Sequence, residues 1–179
     1  MNNKFSIYFL TMIGLGYSKY APGTLASLIT CLIYFYFYSI KLSWVIVLLI
    51  FIFVLINSII LIDKESKNFK EIDAKEIVID EFLGQSVPII SFYIIIYSLG
   101  FFDKEPTIFD KPIKFFQLLI PCFIFFRIFD IFKPFPINLV DKKMKNGLGV
   151  VLDDLIAGIY SFIATYFLGF FYVKYFMEF

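Results

Sequence analysis

Asp80-Glu81 and Asp153-Asp154 are adjacent acid pairs set against long greasy runs, and most of the chain's fifteen carboxylates fall with them in two stretches, 63–81 and 130–154. Charge at the foot of a membrane helix is costly to place, so it usually has work to do. Oxygen-rich carboxylate clusters are what Mg²⁺ prefers. Arg127, Asp130 and Lys133 follow at i,i+3 spacing in "FFRIFDIFKPFP" and share one helical stripe. There Asp130 would be a metal ligand, while Arg127 offers phosphate a planar fork and Lys133 a point charge. The set reads as a metal-dependent phosphate site at a membrane surface.

Each piece also has a plainer reading. Acids opening a helix are favoured by its dipole, by about 0.3–1 kcal/mol, and both pairs are expected to open one. Arg127, Asp130 and Lys133 alone would make a salt-bridge ladder at the membrane boundary. Thr24 in "APGTLAS" stands at a helix start, where free N–H groups form an anion site or the threonine simply caps. "NGLG" at 146–149 reads as a flexible turn allowing close approach to a headgroup. Asp141 is either a further ligand or a surface acid.

Absences narrow the chemistry. The chain has no histidine, which removes phosphohistidine intermediates, histidine bases and His-based zinc sites. Cys31 and Cys122 lie in apolar runs without thiolate-stabilising neighbours, so both read as packing residues. Arg127 follows Cys122 one residue too early for a cysteine-phosphatase loop. A net charge of +1 suggests no nucleic-acid partner.

The positioning elements must be membrane helices. Sixty per cent hydrophobic residues and 17% charged, with mean hydropathy +0.85, mark a polytopic membrane protein of one domain over 1–179. The expected fold is an all-α bundle of five transmembrane helices, at about 24–40, 43–62, 82–101, 115–131 and 154–176. Residues 5–15 are too short to span and are expected to be interfacial or re-entrant, with no cleavable signal peptide. Pro88 and Pro121 are expected to kink the third and fourth helices. The 26 Phe and 12 Tyr read mostly as lipid-facing or interfacial filler.

Alternating crossings would bring the loop before the first helix, segment 63–81 and segment 132–153 to one face. Lys4, Lys19, Lys64, Lys67, Lys70, Lys75, Lys133, Lys142, Lys143 and Lys145 would lie there. Lys41, Lys104, Lys111, Lys114 and Lys174 would lie opposite, a two-to-one bias that makes the acidic face cytoplasmic.

The ordered blocks "GLGYSKYAPGTLAS", "IDEFLGQ", "FFRIFDIFKPFPINLVD" and "NGLGVVLDDLIAGIY" resemble the phosphatidylglycerophosphatase A family, from about residue 14 to 160. The resemblance implies a Mg²⁺-dependent lipid phosphatase of the bacterial inner membrane. It would remove the terminal phosphate of phosphatidylglycerophosphate at the cytoplasmic leaflet. Motif positions carried over are Thr24, Asp80, Glu81, Arg127, Asp130, Lys133, Asp141, Asp153 and Asp154. Asn146 departs from the glycine expected there.

On this reading Asp80, Glu81, Asp130 and Asp154, with or without Asp153, hold one or two Mg²⁺ ions and form the catalytic centre with Asp153. Thr24, Arg127, Lys133 and Asp141 bind substrate. The nucleophile is either water or a carboxylate. A transporter relaying ions or protons through clustered acids is a rival, disfavoured because no acid falls mid-span. A CDP-alcohol phosphotransferase is another, and its run of spaced aspartates after a Gly and an Arg is missing.

Overall fold

In lipid a backbone must satisfy its own hydrogen bonds, so apolar runs of this length have to coil into helices. The computed structural model describes residues 3–65, 74–98 and 112–176. Among them are seven α-helices and no strand: α1 (Asn3–Leu10), α2 (Pro22–Ser39), α3 (Trp44–Glu65), α4 (Ile79–Ser98), α5 (Pro112–Phe132), α6 (Ile137–Lys143) and α7 (Gly147–Phe176). A single 3₁₀ turn, Leu15–Tyr17, follows α1. The expected polar hinge at 102–114 lies mostly outside the described residues, as do Lys67, Lys70, Lys104 and Lys111.

Four helices are long and apolar enough to cross a membrane: α3, α4, α5 and α7. The other expected span, α2, has 18 residues, about 27 Å at 1.5 Å per residue. Thr24, Ser27, Thr30, Tyr34, Tyr36, Tyr38 and Ser39 dilute its apolarity.

α4 is the centre. Of its span 67% is buried inside the protein, against 17–22% for α3, α5 and α7, which turn isoleucine and phenylalanine outward. It packs chiefly on α7, and also on α2 and α3. The α4–α7 crossing is made by glycine. Pro88 has no N–H to give the carbonyl of Gly84 four residues earlier. That freed oxygen lies against Gly158, where any side chain would collide with it. A Cβ on Gly84 would in turn sit 2.7 Å from the backbone oxygen of Asp154. Small residues are what let membrane helices approach this closely. Both α4 and α5 continue through their prolines as single helices.

Two expectations are corrected. α7 begins at Gly147, not near 154, so "NGLG" is a helix start rather than a flexible turn. Asn146 is its cap, its side-chain oxygen accepting the Gly149 N–H at 2.8 Å. Asp153 and Asp154 consequently lie about two turns inside the helix, beyond the reach of its dipole. A minority of the aromatics are core: Tyr34, Tyr93, Phe115 and Phe126 are almost wholly buried. At the end of α4 remote from the acids, Tyr93 and Tyr97 donate to the Leu42 carbonyl at 2.6 and 2.9 Å, pinning the α2–α3 turn.

Gly158→Val should destabilise the protein by about 1–3 kcal/mol, the usual cost of overpacking. Thermal unfolding in detergent would register it, with Gly169→Val, at a glycine with nothing within 4 Å of its Cβ position, nearly unchanged.

Candidate active site

α4 starts where the turn after α1 holds it. The Val78 N–H donates to the Leu10 carbonyl at 3.0 Å, and Gly16 is pressed on the Glu76 backbone with no room for a side chain. Asp80 and Glu81 therefore fall in the first turn of α4. Asp80 is 6% exposed and Asp154 only 5%. The α4–α7 crossing then sets Asp154 beside the pair: oxygens of Asp80, Glu81 and Asp154 all lie within 4.8 Å of one another. Residues 73 apart in sequence meet because two glycines let their helices touch.

Asp130, on the last turn of α5, is near enough to interact electrostatically with both Glu81 and Asp154. Its Oδ2 is 2.6 Å from Nη1 of Arg127, an ion pair held by proximity rather than by an aligned N–H···O bond. Arg127 Nε has no hydrogen-bond partner within the protein. The expected stripe is present, but its third member points elsewhere.

Lys133 ends α5 with φ 42°, and its backbone N–H closes on the Phe129 carbonyl at 2.9 Å. That left-handed turn sends Nζ to Asp153 at 2.6 Å and to Asp141 at 2.9 Å. Burial alone would weaken the ammonium. The bonds to Asp153 and Asp141 outweigh it and hold Lys133 above the ordinary lysine range. Asp141 is held below the usual carboxylate range, first by that hydrogen bond from Lys133. The adjacent acids thus divide: Asp154 faces the cluster, while Asp153 anchors Lys133. Neighbours on a helix are turned about 100° apart, so the division follows from α7 being helical there.

The first turn of α2 closes the other side. Any side chain at Gly23 would overlap the Glu81 carboxylate. Ala21, at φ 41°, is the N-cap and Pro22 the first helical residue, so Thr24 is a half-buried third-position residue rather than the cap. Two further features were not foreseen. Asp63 on α3 accepts the Gly147 N–H at 2.5 Å, fastening the start of α7. Gln85, one turn beyond Glu81 on α4, is completely buried. The acidic 63–81 stretch and the i,i+4 spacing from Glu81 were the available signals.

The donor set fits a hard divalent cation. All three clustered groups are carboxylates, and Glu81 Oε2 and Asp154 Oδ2 are buried without a hydrogen bond. Like charges so confined need a positive partner.

The sequence profile of phosphatidylglycerophosphatase A matches residues 8–169. The chain belongs to that family. It is 28% identical over 156 residues to phosphatidylglycerophosphatase A of Escherichia coli K12, covering 87% of this chain and 78% of that one. It is 46% identical over 50 residues to the Haemophilus influenzae protein of the same name, a segment amounting to 31% of the latter. A Bacteroides thetaiotaomicron protein named "Putative phosphatidylinositol-3-phosphatase" is 32% identical over 156 residues, 86% of each chain. No solved structure matches the chain. Membership of the phosphatidylglycerophosphatase A family makes it a phosphatase, and its four apolar spans make it a membrane protein.

Lys133→Met should cost about 2–3 kcal/mol, because it strands the buried Asp153 carboxylate. Asp141→Asn, at a half-exposed pair, should cost under about 1 kcal/mol. Thermal or chemical unfolding of the two purified variants would rank them.

Proposed function

We propose that the chain hydrolyses the terminal phosphomonoester of phosphatidylglycerophosphate, giving phosphatidylglycerol and inorganic phosphate. The reaction would use Mg²⁺ at the cytoplasmic face of a bacterial inner membrane. The observation that carries the reading is the buried trio of Asp80, Glu81 and Asp154, with Arg127 and Asp130 alongside. Family membership supplies the reaction class, and two relatives' names supply the substrate.

Asp80, Glu81 and Asp154 would hold the ion, with Asp130 beside them. When bound, the ion neutralises phosphate charge and acts as a Lewis acid. Arg127 would turn the donors left free by its single pairing toward phosphate oxygens. Lys133 is committed to Asp153 and Asp141, so its contribution would be to fix α6 against α7 and to present its remaining N–H at the rim. The first turn of α2, with Thr24, would wall the phosphate opposite α7. With no histidine in the chain, the departing alkoxide would take its proton from a carboxyl group or from water.

Orientation is supported by charge. Lys64, Lys75, Lys133, Lys142, Lys143 and Lys145 lie at the acidic end, and Lys41, Lys114 and Lys174 at the other. α2 supports a fifth crossing: its first turn abuts Glu81 while the turn after it is bound by Tyr93 and Tyr97 at the far end of α4.

Purified protein should release phosphate from phosphatidylglycerophosphate with Mg²⁺, and should stop when EDTA is added. Asp80→Asn or Asp154→Asn should lower the rate by about 100–1000-fold while the protein still inserts and melts cooperatively. Phosphatidic acid and phosphatidylinositol 3-phosphate should be poorer substrates. Undiminished activity in EDTA, or preference for the phosphoinositide, would defeat the proposal.

A further inference from the structure

Gln85 is 0% exposed, and neither its Oε1 nor its Nε2 has a hydrogen-bond partner. A carboxamide with both ends unmet is among the costlier groups a membrane-embedded helix can bury. Four buried hydroxyls of α2, α4 and α7 donate to backbone carbonyls and none donates to Gln85. Ser27 donates to Gly23, Thr30 to Ala26, Ser86 to Phe82 and Ser161 to Cys122, each to a backbone carbonyl at 2.6–2.9 Å.

Its position says what it could meet. At about 100° per residue, Asp80, Glu81, Gly84 and Gln85 lie within one arc of about 140° on α4. Gly84, in the middle of that arc, is pressed on the Asp154 backbone and the Phe126 ring, so the arc looks toward α7 and α5. Gln85 stands about 6 Å further along the helix than Glu81. Long side chains on a helix lean back over the preceding turn, which here is the turn bearing Glu81. A carboxamide leaning that way would close the acid cluster from its bilayer side.

We infer that Gln85 is a neutral ligand of the cation held by Asp80, Glu81 and Asp154, bound through its carboxamide oxygen. The inference rests on the proposed cation-dependent reading of that cluster. Mg²⁺ takes six oxygens in near-octahedral array, and a carboxamide adds one without adding negative charge. Nε2 is then left to donate to Glu81 Oε2, one turn earlier on the same stripe and itself without a hydrogen bond.

Mn²⁺ is a spectroscopic stand-in for the ion, and the free ion can be counted by electron paramagnetic resonance without any turnover. Full-length protein in detergent would be titrated as wild type, Gln85→Leu, Gln85→Asn, Gln85→Glu and Asp154→Asn, with melting curves recorded for each. Wild type should bind Mn²⁺. Gln85→Leu should weaken binding about 10- to 100-fold. Gln85→Asn, whose oxygen is one methylene short, should also weaken it, and Gln85→Glu should match or exceed wild type. If Gln85→Leu or Gln85→Asn binds as tightly as wild type while Asp154→Asn does not, the role of Gln85 is overturned and the acid site stands. If wild type binds no Mn²⁺, or Asp154→Asn binds it equally well, the cation-site reading falls and this inference with it. Should Gln85→Leu fail to fold, the Asn and Glu variants decide alone.

Discussion

Asp80, Glu81 and Asp154 place three carboxylates within 4.8 Å inside an otherwise apolar bundle. At an effective dielectric near 20, each ionised pair at that separation repels by about 3.5 kcal/mol or more. Nothing in the helices' own propensity would choose this arrangement. It is imposed by the α4–α7 crossing, where the Gly84 carbonyl freed by Pro88 rests on Gly158 and the Asp154 backbone rests on Gly84. A crossing one side chain wider would part Asp154 from the other two. Packing that is favourable in lipid therefore supports an electrostatic arrangement that is not, until positive charge arrives.

Positive charge built into the chain is distributed to leave that trio open. Arg127 pairs with Asp130, and Lys133 with Asp153 and Asp141. Both bases sit at the end of α5, so one helix terminus supplies the cationic half of the site. The left-handed turn at Lys133 makes this possible, because a straight continuation of α5 would carry Nζ away from α7. Asp63 and Asn146 complete the scaffold by fixing where α7 begins, which sets the depth of Asp154.

Much of this was legible in the amino-acid sequence. Hydrophobic run length announced α3, α4, α5 and α7, and the i,i+3 stripe of Arg127 and Asp130 is present as a 2.6 Å pair. The juxtaposition of Asp80-Glu81 with Asp154 was expected from chemistry and is found. The start of α7 was not legible, because glycines at 147 and 149 read as a turn. They are in fact tolerated in a first helical turn capped by Asn146, and Gly147 is further required by the α3 backbone against it. The division of labour between Asp153 and Asp154 followed from that missed boundary. Lys133 was read as a phosphate clamp because its spacing is helical, yet its φ of 42° takes it off the stripe. Composition could not separate the buried rings of Tyr34 and Tyr93 from the lipid-facing ones, since both occur in equally apolar runs.

The burial pattern explains where the polar groups of the bundle can sit. α3, α5 and α7 each face lipid over most of their length, where an acid would have no partner and the Asn57 amide turns back on the Phe53 carbonyl. α4 is the most enclosed of the four spans and keeps Asp80, Gln85 and Ser86 away from the hydrocarbon, while α7 buries Asp153, Asp154, Ser161 and Thr165 on its inner face. Acids on α7 and α5 are admitted only where those helices touch α4 or close their own ends. The order of construction is thus fixed by solvent rather than by catalysis. A central helix must first be shielded before it can carry the groups a phosphate reaction requires, and the exposed isoleucines and phenylalanines of its neighbours are that shield.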